Sequence, residues 1–245
     1  MQKDISIIIP IYNDAPTIGK TIDELFRFFD VENLDGELII VNDGGEEYGV
    51  RLVREKMKFI DSIKLIDRKK NRGKGYTVKE GVSKSSGKII FYTDADLPYG
   101  TESIKQMYKR LINNESDLVL ANRNLSGKDG MKQATLARKL THVVYSIFVG
   151  SLVFDYSDTL AGLKGMTREV AEAVFPHLTI DRFSFDVEFI LLAKKIGFKI
   201  SELPVTLQQF GKSSLNIILD SPQMIKDVLK IAWRNRLGLY DIKKK

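Results

Sequence analysis

The chain has 245 residues, a net charge of +6, a pI near 9.2, 43% hydrophobic and 29% charged residues, and no cysteine. That length suits one large α/β domain, alone or with a helical appendage, and the composition is that of an ordinary globular protein. The lack of cysteine excludes disulfides and thiolate zinc sites and is compatible with a reducing cytoplasm; the excess base suggests an anionic partner (phosphate, nucleic acid or an acidic membrane surface), beside the plainer alternative of a merely basic surface.

The N-terminal MQKDISIIIPIYND has a short apolar core and a Pro, and reads as a first strand rather than a signal peptide. Strand-length apolar runs recur at ISIII (5–9), ELIIV (37–41), SIKLI (62–66), KIIFY (88–92) and DLVLA (117–121). Helix-period segments at 16–29, 47–59, 74–85 and 102–114 separate them. Alternating helices and strands apolar on both faces predict an α/β fold, a mostly parallel sheet covered on both sides. After about residue 130 the alternation weakens and the pattern turns more helical. The longest uncharged apolar run, VVYSIFVGSLVF (143–154), falls short of the roughly 20 residues that span a bilayer. Residues 184–196 predict a helix stopped by Gly197, and FKISELPVTL (198–207) a late strand that Pro204 confines to the neighbourhood of an edge. In SPQMIKDVLKIAWRNR (221–236), Lys226, Lys230 and Arg234 run beside Ile225, Leu229 and Trp233. Such a helix suits either an anionic bilayer surface or ordinary packing on a core.

In open α/β sheets, ligands bind outside the carboxyl ends of the strands. The predicted strands exit at Pro10-Ile11-Tyr12-Asn13-Asp14, Asn42-Asp43-Gly44-Gly45, Asp67, Asp94-Ala95-Asp96 and Asn122-Arg123-Asn124. Any one of these could be a turn-former or helix cap; five polar exits on one edge point to a site. If the chain stays extended at Asp94 and Asp96, both side chains point the same way. That suits a hard divalent cation, Mg2+ or Mn2+, held by oxygen ligands; a turn is the alternative. NRGKG (71–75) opens a helix, with Arg72 and Lys74 able to meet phosphate. Neither a Walker loop nor a GxGxxG follows the first strand, and His142 and His177 stand isolated.

IIPIYNDAPTI, VNDGG, NRGKGYTVKEG and TDADL, in that order and spacing, resemble the nucleotide-sugar-binding half of a GT-A fold, family 2 glycosyltransferase. SDTLAGLKGMTREV (157–170), FSFDVEFILLAKKIGFKISELPV (183–205) and FGKSSLNIILDSPQMIKDVLKI (210–231) resemble the polyprenyl- and dolichyl-phosphate branch of that family, its glucosyltransferases and mannose synthases. The resemblance spans about residues 4–235 and implies a Rossmann-like catalytic domain over 1–210, extended by C-terminal amphipathic helices over 211–245 that can meet a membrane.

By that resemblance, Pro10, Tyr12, Asn13 and Asp14 line the base and ribose pocket, Asp43 contacts base or ribose, and Lys74 sits near the nucleotide. Asp94 lies by the sugar and diphosphate, and Asp96, with Asp94, ligates the metal. Arg123, Arg138 and Lys212 face the acceptor phosphate. Asp186 and Glu188 are candidates for sugar or acceptor contacts, or a capping pair at a helix start. Asp14 replaces the usual Glu, Asn42 the first Asp of the second motif, and Leu160 and Ala161 the Gln and Cys of the glucosyltransferases; these departures bear on the donor sugar more than on the fold.

The implied reaction is inverting transfer of a hexose from UDP-glucose or GDP-mannose to polyprenyl or dolichyl phosphate, with Mg2+ or Mn2+, by a chain peripheral at the cytoplasmic face of a membrane. The three lysines at 243–245 would add basic charge there. Two alternatives stand beside it: a soluble or saccharide acceptor, or a catalytically weak nucleotide-sugar binder at a membrane. Nucleic acid is not an expected partner, because carboxylates occupy the edge its phosphates would approach.

Overall fold

The computed structural model describes residues 2–13, 15–126, 158–208 and 217–242. The five apolar runs form β1 (Ile5–Ile11), β2 (Gly36–Asp43), β3 (Ile63–Arg68), β4 (Ile89–Tyr92) and β5 (Leu118–Asn122). Successive side chains enter opposite cores, as the two-residue period of a strand demands. Ile8, Ile39, Val41, Ile90 and Leu120 line one face, and Ile7, Ile9, Ile40, Phe91 and Val119 the other. Burial on both faces explains why β1, β2, β4 and β5 read as mainly apolar runs, whereas β3, at the sheet edge, is only partly buried.

Four helices connect them: α1 (Ala15–Glu32), α2 (Glu47–Met57), α3 (Lys74–Lys84) and α4 (Gly100–Ile112). Helices α1, α2 and α4 send Ile22, Val53 and Met107 into one core, while α3 sends Val78 and Val82 into the other. Residue 130 does not end the sheet. β6 (Lys164–Thr167) inserts between β4 and β5, antiparallel to both, and β7 (Ile200–Pro204) pairs parallel with β5. The order is β3-β2-β1-β4-β6-β5-β7, so β7 lies at the edge that Pro204 predicts. β6 escapes sequence reading because KGMT holds one charge, one glycine and no apolar run.

The remaining α-helices among the described residues are α5 (Arg168–Val174), α6 (Phe185–Ile196) and α7 (Ile217–Arg236). Gly197, at φ 92°, stops α6 in the left-handed conformation that glycine adopts at little cost. Helix α7 packs Met224, Val228 and Ile231 into the core that α6 fills. Among the described residues no helix is long and apolar enough to cross a membrane.

This order places the sheet's switch point between β1 and β4: β2 lies on one side of β1 and β4 on the other. A crevice there is where an open α/β sheet receives its ligand.

β6 approaches β4 closely because Gly165, the register partner of Phe91, has no side chain; a Cβ there would overlap the Phe91 ring. Gly165→Ala is therefore expected to cost about 1–3 kcal/mol in overpacking. Urea unfolding measures it, and unchanged stability would mean that the Phe91 ring can move aside.

Candidate active site

The chain does not stay extended through Asp94-Ala95-Asp96. β4 ends at Tyr92, and the Leu97 amide donates to the Asp94 carbonyl at 3.1 Å, closing a turn with Leu97 at φ 47°. The two carboxylates therefore sit on a turn, not on like-facing positions of a strand. Distant elements impose this turn. The Thr93 amide donates to Ile8 O of β1 at 3.1 Å, and Thr21 Oγ1 of α1 donates to Ala95 O at 2.7 Å.

Lys74 Nζ donates to Asp94 Oδ1 at 2.5 Å. Gly162 backs the same carboxylate so closely that a Cβ there would overlap it. Burial alone would raise the Asp94 pKa; the Lys74 ammonium, helped by Lys164 and Arg123, outweighs it and holds the carboxyl below its ordinary value.

Lys74 is placed by the loop before it. Gly73, at φ 104°, caps α3, and the amides of Arg72 and Gly73 each donate to Asp43 at 2.8 Å. Arg68 Nη2 donates to Asp43 Oδ1 at 2.5 Å and Nη1 to Glu80 at 2.8 Å. Both Asp43 oxygens thus hold the NRGKG loop in place. The Arg72 guanidinium lies 3.4 Å from the centre of the Tyr76 ring. Gly73 and Gly75 bring the backbone against the carbonyls of Asp181 and Ile180, and the Tyr76 amide donates to Asp181 O at 3.0 Å.

The first two strand ends meet beside this loop. Asn13 Oδ1 and Tyr12 O both accept from the Glu46 amide, at 3.3 and 3.2 Å. Tyr12 is 42% exposed, and Pro10 sits on β1 opposite Val41. Asn42 donates to Asp67 at 2.9 Å and accepts from the Gly45 amide at 3.0 Å, so it ties two strand exits together. Asp14, Arg138, His142, Lys212, the 143–154 run and the lysines at 243–245 lie outside the described residues.

A layer of buried charge underlies the cleft. Arg123 Nε and Nη2 grip Asp158 at 2.8 and 2.7 Å, and the Arg123 amide donates to the same carboxylate at 3.0 Å. The Asp158 side chain is fully buried. Burial would lower the Arg123 pKa, but its bonds to Asp158 reverse that and raise it. Lys164, also fully buried, donates to Asp186 Oδ1 and to Ala161 O, each at 2.8 Å. Its pKa is lowered, because desolvation outweighs the pull of Asp186. The Tyr92 hydroxyl donates to Asp186 Oδ1 at 2.5 Å, and its pKa is pushed well up by burial and by that carboxylate.

Asp186 is therefore turned into this layer, 3% exposed, rather than toward open solvent. Glu188 accepts the Thr179 and Ile180 amides at 2.8 Å and the Thr179 and Tyr240 hydroxyls at 2.6 Å, which makes it an anchor of the 178–180 segment. Sequence reading gave no role to Asp158, Lys164 or Tyr92. The one available signal was Lys164, a lone charge within the otherwise uncharged TLAGLKGM.

Asp94 and Asp96 are the carboxylates at the turn. Among the described residues no group of three or more His, Cys, Asp or Glu converges as a metal cage. A surface depression of about 680 Å³ lies between α1 and α4, lined by residues such as Lys20, Arg27 and Lys105 and by none of the strand ends.

The model of the glycosyl transferase family 2 matches residues 6–175. The chain is 32% identical over 253 residues to a dolichyl-phosphate beta-glucosyltransferase of Dictyostelium discoideum, across 98% of this chain and 77% of that one. It is 27% identical to the Homo sapiens dolichyl-phosphate beta-glucosyltransferase, across 97% and 78%. Among solved structures, glucosyl-3-phosphoglycerate synthase of Mycobacterium tuberculosis superposes with a TM-score of 0.70 at 17% identity, over 94% of this chain and 81% of that one. The same synthase with Mn2+, uridine-diphosphate-glucose and phosphoglyceric acid superposes at 0.67, with 16% identity over 94% and 80%.

Because Lys74 holds Asp94 ionised, the stabilisation from that charge is full above the ordinary aspartate pKa and is lost as pH falls through the lowered folded value. Lys74→Met leaves burial less opposed, so the Asp94 titration midpoint is expected to move up. Carboxyl-carbon NMR titration reads this directly; an unmoved midpoint would show that Lys164 and Arg123 suffice.

Proposed function

The chain belongs to glycosyl transferase family 2, and from that premise we propose that it transfers glucose from UDP-glucose to a polyprenyl phosphate of the dolichyl type. The transfer inverts the sugar configuration and takes place at the cytoplasmic face of a membrane. The observation that carries this reading is similarity over 98% of the chain to a dolichyl-phosphate beta-glucosyltransferase. The seven-stranded mixed sheet is that of GT-A glycosyltransferases, and uridine-diphosphate-glucose is what the structurally similar synthase holds.

In this reading Pro10, Tyr12, Asn13 and Asp14 border the base and ribose. Asp43 fixes the loop that presents Lys74 to the diphosphate, and Asp94 takes the sugar side. Asp96, with Asp94, offers oxygen ligands to Mg2+ or Mn2+; two carboxylates on one turn fit an ion that completes its shell with water and phosphate oxygens. When bound, that ion supplies positive charge to the departing nucleoside diphosphate.

The acceptor phosphate is already ionised at neutral pH, so no side chain needs to remove a proton from it. Orientation becomes the main requirement. Arg123, set by its two-point grip on Asp158, presents fixed positive charge, joined by Arg138 and Lys212. Asp186 holds Lys164, whose charge acts on Asp94, and remains a candidate contact for the sugar or acceptor.

The test is a panel of radiolabelled nucleotide sugars offered with polyprenyl phosphate, with and without Mg2+ or Mn2+. UDP-glucose is expected to label the lipid, and chelation to abolish transfer. Asp96→Ala is expected to lower kcat by about 10²–10³ with the fold retained. Wild-type transfer by that variant would remove the metal assignment, and product from a soluble acceptor alone would remove the lipid.

A further inference from the structure

We propose that the outward face of α7 and the turn that follows it is a docking surface for an anionic lipid bilayer. Among the described residues, Ile225, Leu229, Trp233, Leu237 and Leu239 are all exposed, from 38% at Ile225 to 62% at Trp233. Five large apolar side chains within one short segment form a patch, not the scatter of single residues normal on a surface. The first four are spaced by four residues, and each such step advances only about 40° around a helix, so they form one stripe.

Among the described residues of α7 every exposed charge is basic, and the exposed acid after it, Asp241, is paired with Lys195. Lys226, Lys230 and Arg236 are exposed beside the stripe. Asp227 is buried and accepts from the Gln223 amide at 2.8 Å. Arg234 is not part of the outward basic row: it is partly buried, with its guanidinium 5.2 Å from the Tyr240 ring. Arg236, two residues and about 200° further round the helix, is exposed on the opposite flank of the stripe. Nor can the helix roll over to cover its own stripe. Met224, Val228 and Ile231 are buried on the opposite side, Tyr240 donates to the buried Glu188 at 2.6 Å, and Lys195 holds both Asn235 and Asp241.

A second copy of the chain would bring the same lysines against themselves, because a two-fold contact is self-complementary. An anionic bilayer supplies the opposite charge and an apolar layer for the stripe, with Trp233 at the level where aromatic rings favour the interface. This deepens the membrane placement proposed above and names the surface responsible. It uses no residue assigned to donor or acceptor.

Trp233 is the only tryptophan in the chain, so its emission reports on this face alone. Adding three-to-one phosphatidylcholine–phosphatidylglycerol vesicles to the full chain is expected to shift that emission to the blue and to float the protein with the vesicles. Pure phosphatidylcholine should bind it less, and added salt should weaken the anionic binding. Leu229→Glu with Leu237→Glu, both at exposed positions, is expected to lower vesicle partitioning about tenfold or more. The same variant should retain wild-type glucose transfer to a short-chain polyprenyl phosphate in detergent, which needs no bilayer. Lys226→Glu with Lys230→Glu should abolish the preference for anionic vesicles. The inference is overturned if the wild type ignores both vesicles, if the double-glutamate variant binds as the wild type does, or if a concentration-dependent dimer shifts the emission without lipid. Transfer in detergent by a chain that ignores vesicles would overturn this inference and leave the transferase reading standing; vesicle binding without transfer would do the reverse.

Discussion

A carboxylate at the end of a strand buried on both faces is costly unless cations meet it. Asp94 is that carboxylate, and the cleft is arranged around its charge. Lys74 approaches to 2.5 Å from the start of α3, and Lys164 and Arg123 add positive potential. Lys164 is fully buried and Arg123 partly buried, and each carries its own acid: Asp186 for Lys164, Asp158 for Arg123. Removing one member of the Lys164–Asp186 or Arg123–Asp158 pair would leave its partner's charge without a counter-ion, so the layer behaves as a unit. The outcome is an anionic turn held in one position without being neutralised.

The fold was legible because its physics is local. Runs such as ISIII and ELIIV are apolar at all but one position each, Ser6 and Glu37, since both faces of the parallel sheet are covered, and Gly197 and Pro204 mark a helix end and an edge strand through backbone chemistry alone. β6 was not legible. Its four residues have no strand pattern, and their place between β4 and β5 is set by pairing partners far away in sequence. The turn at Asp94 stood in the sequence only as an alternative to an extended chain, and the choice depends on Ile8 and Thr21, far away in sequence.

The site divides along the same line. Lys74, Asp94 and Arg123 could be picked out at strand exits and in the glycine loop, but the pairings of the charged layer beside them could not. Asp186 lies 94 residues from Tyr92, and Asp158 lies 35 from Arg123. Asp43 shows how a strand-end acid serves the site indirectly: it spends its oxygens on the loop that aims Lys74. Ala161 makes a related point. Lys164 binds its backbone carbonyl, a contact available whatever the side chain, so a departure from the family's usual residue there leaves the buried layer intact.

The distribution of charge also decides what the net +6 can do. Lys164 and Arg68 each meet a carboxylate inside the protein. These pairs contribute almost nothing to the outer field, so the surplus positive charge resides on the surface and bears on association rather than on fold. Salt screens exposed charges strongly and buried pairs weakly. Ionic strength therefore acts on the two halves of the proposed function unequally: it weakens attraction between an anionic surface and Lys226, Lys230 and Arg236, while the charges that hold Asp94 in place stay nearly unchanged. On the proposed reading, high salt would release the chain from an anionic bilayer without loosening the charges around Asp94.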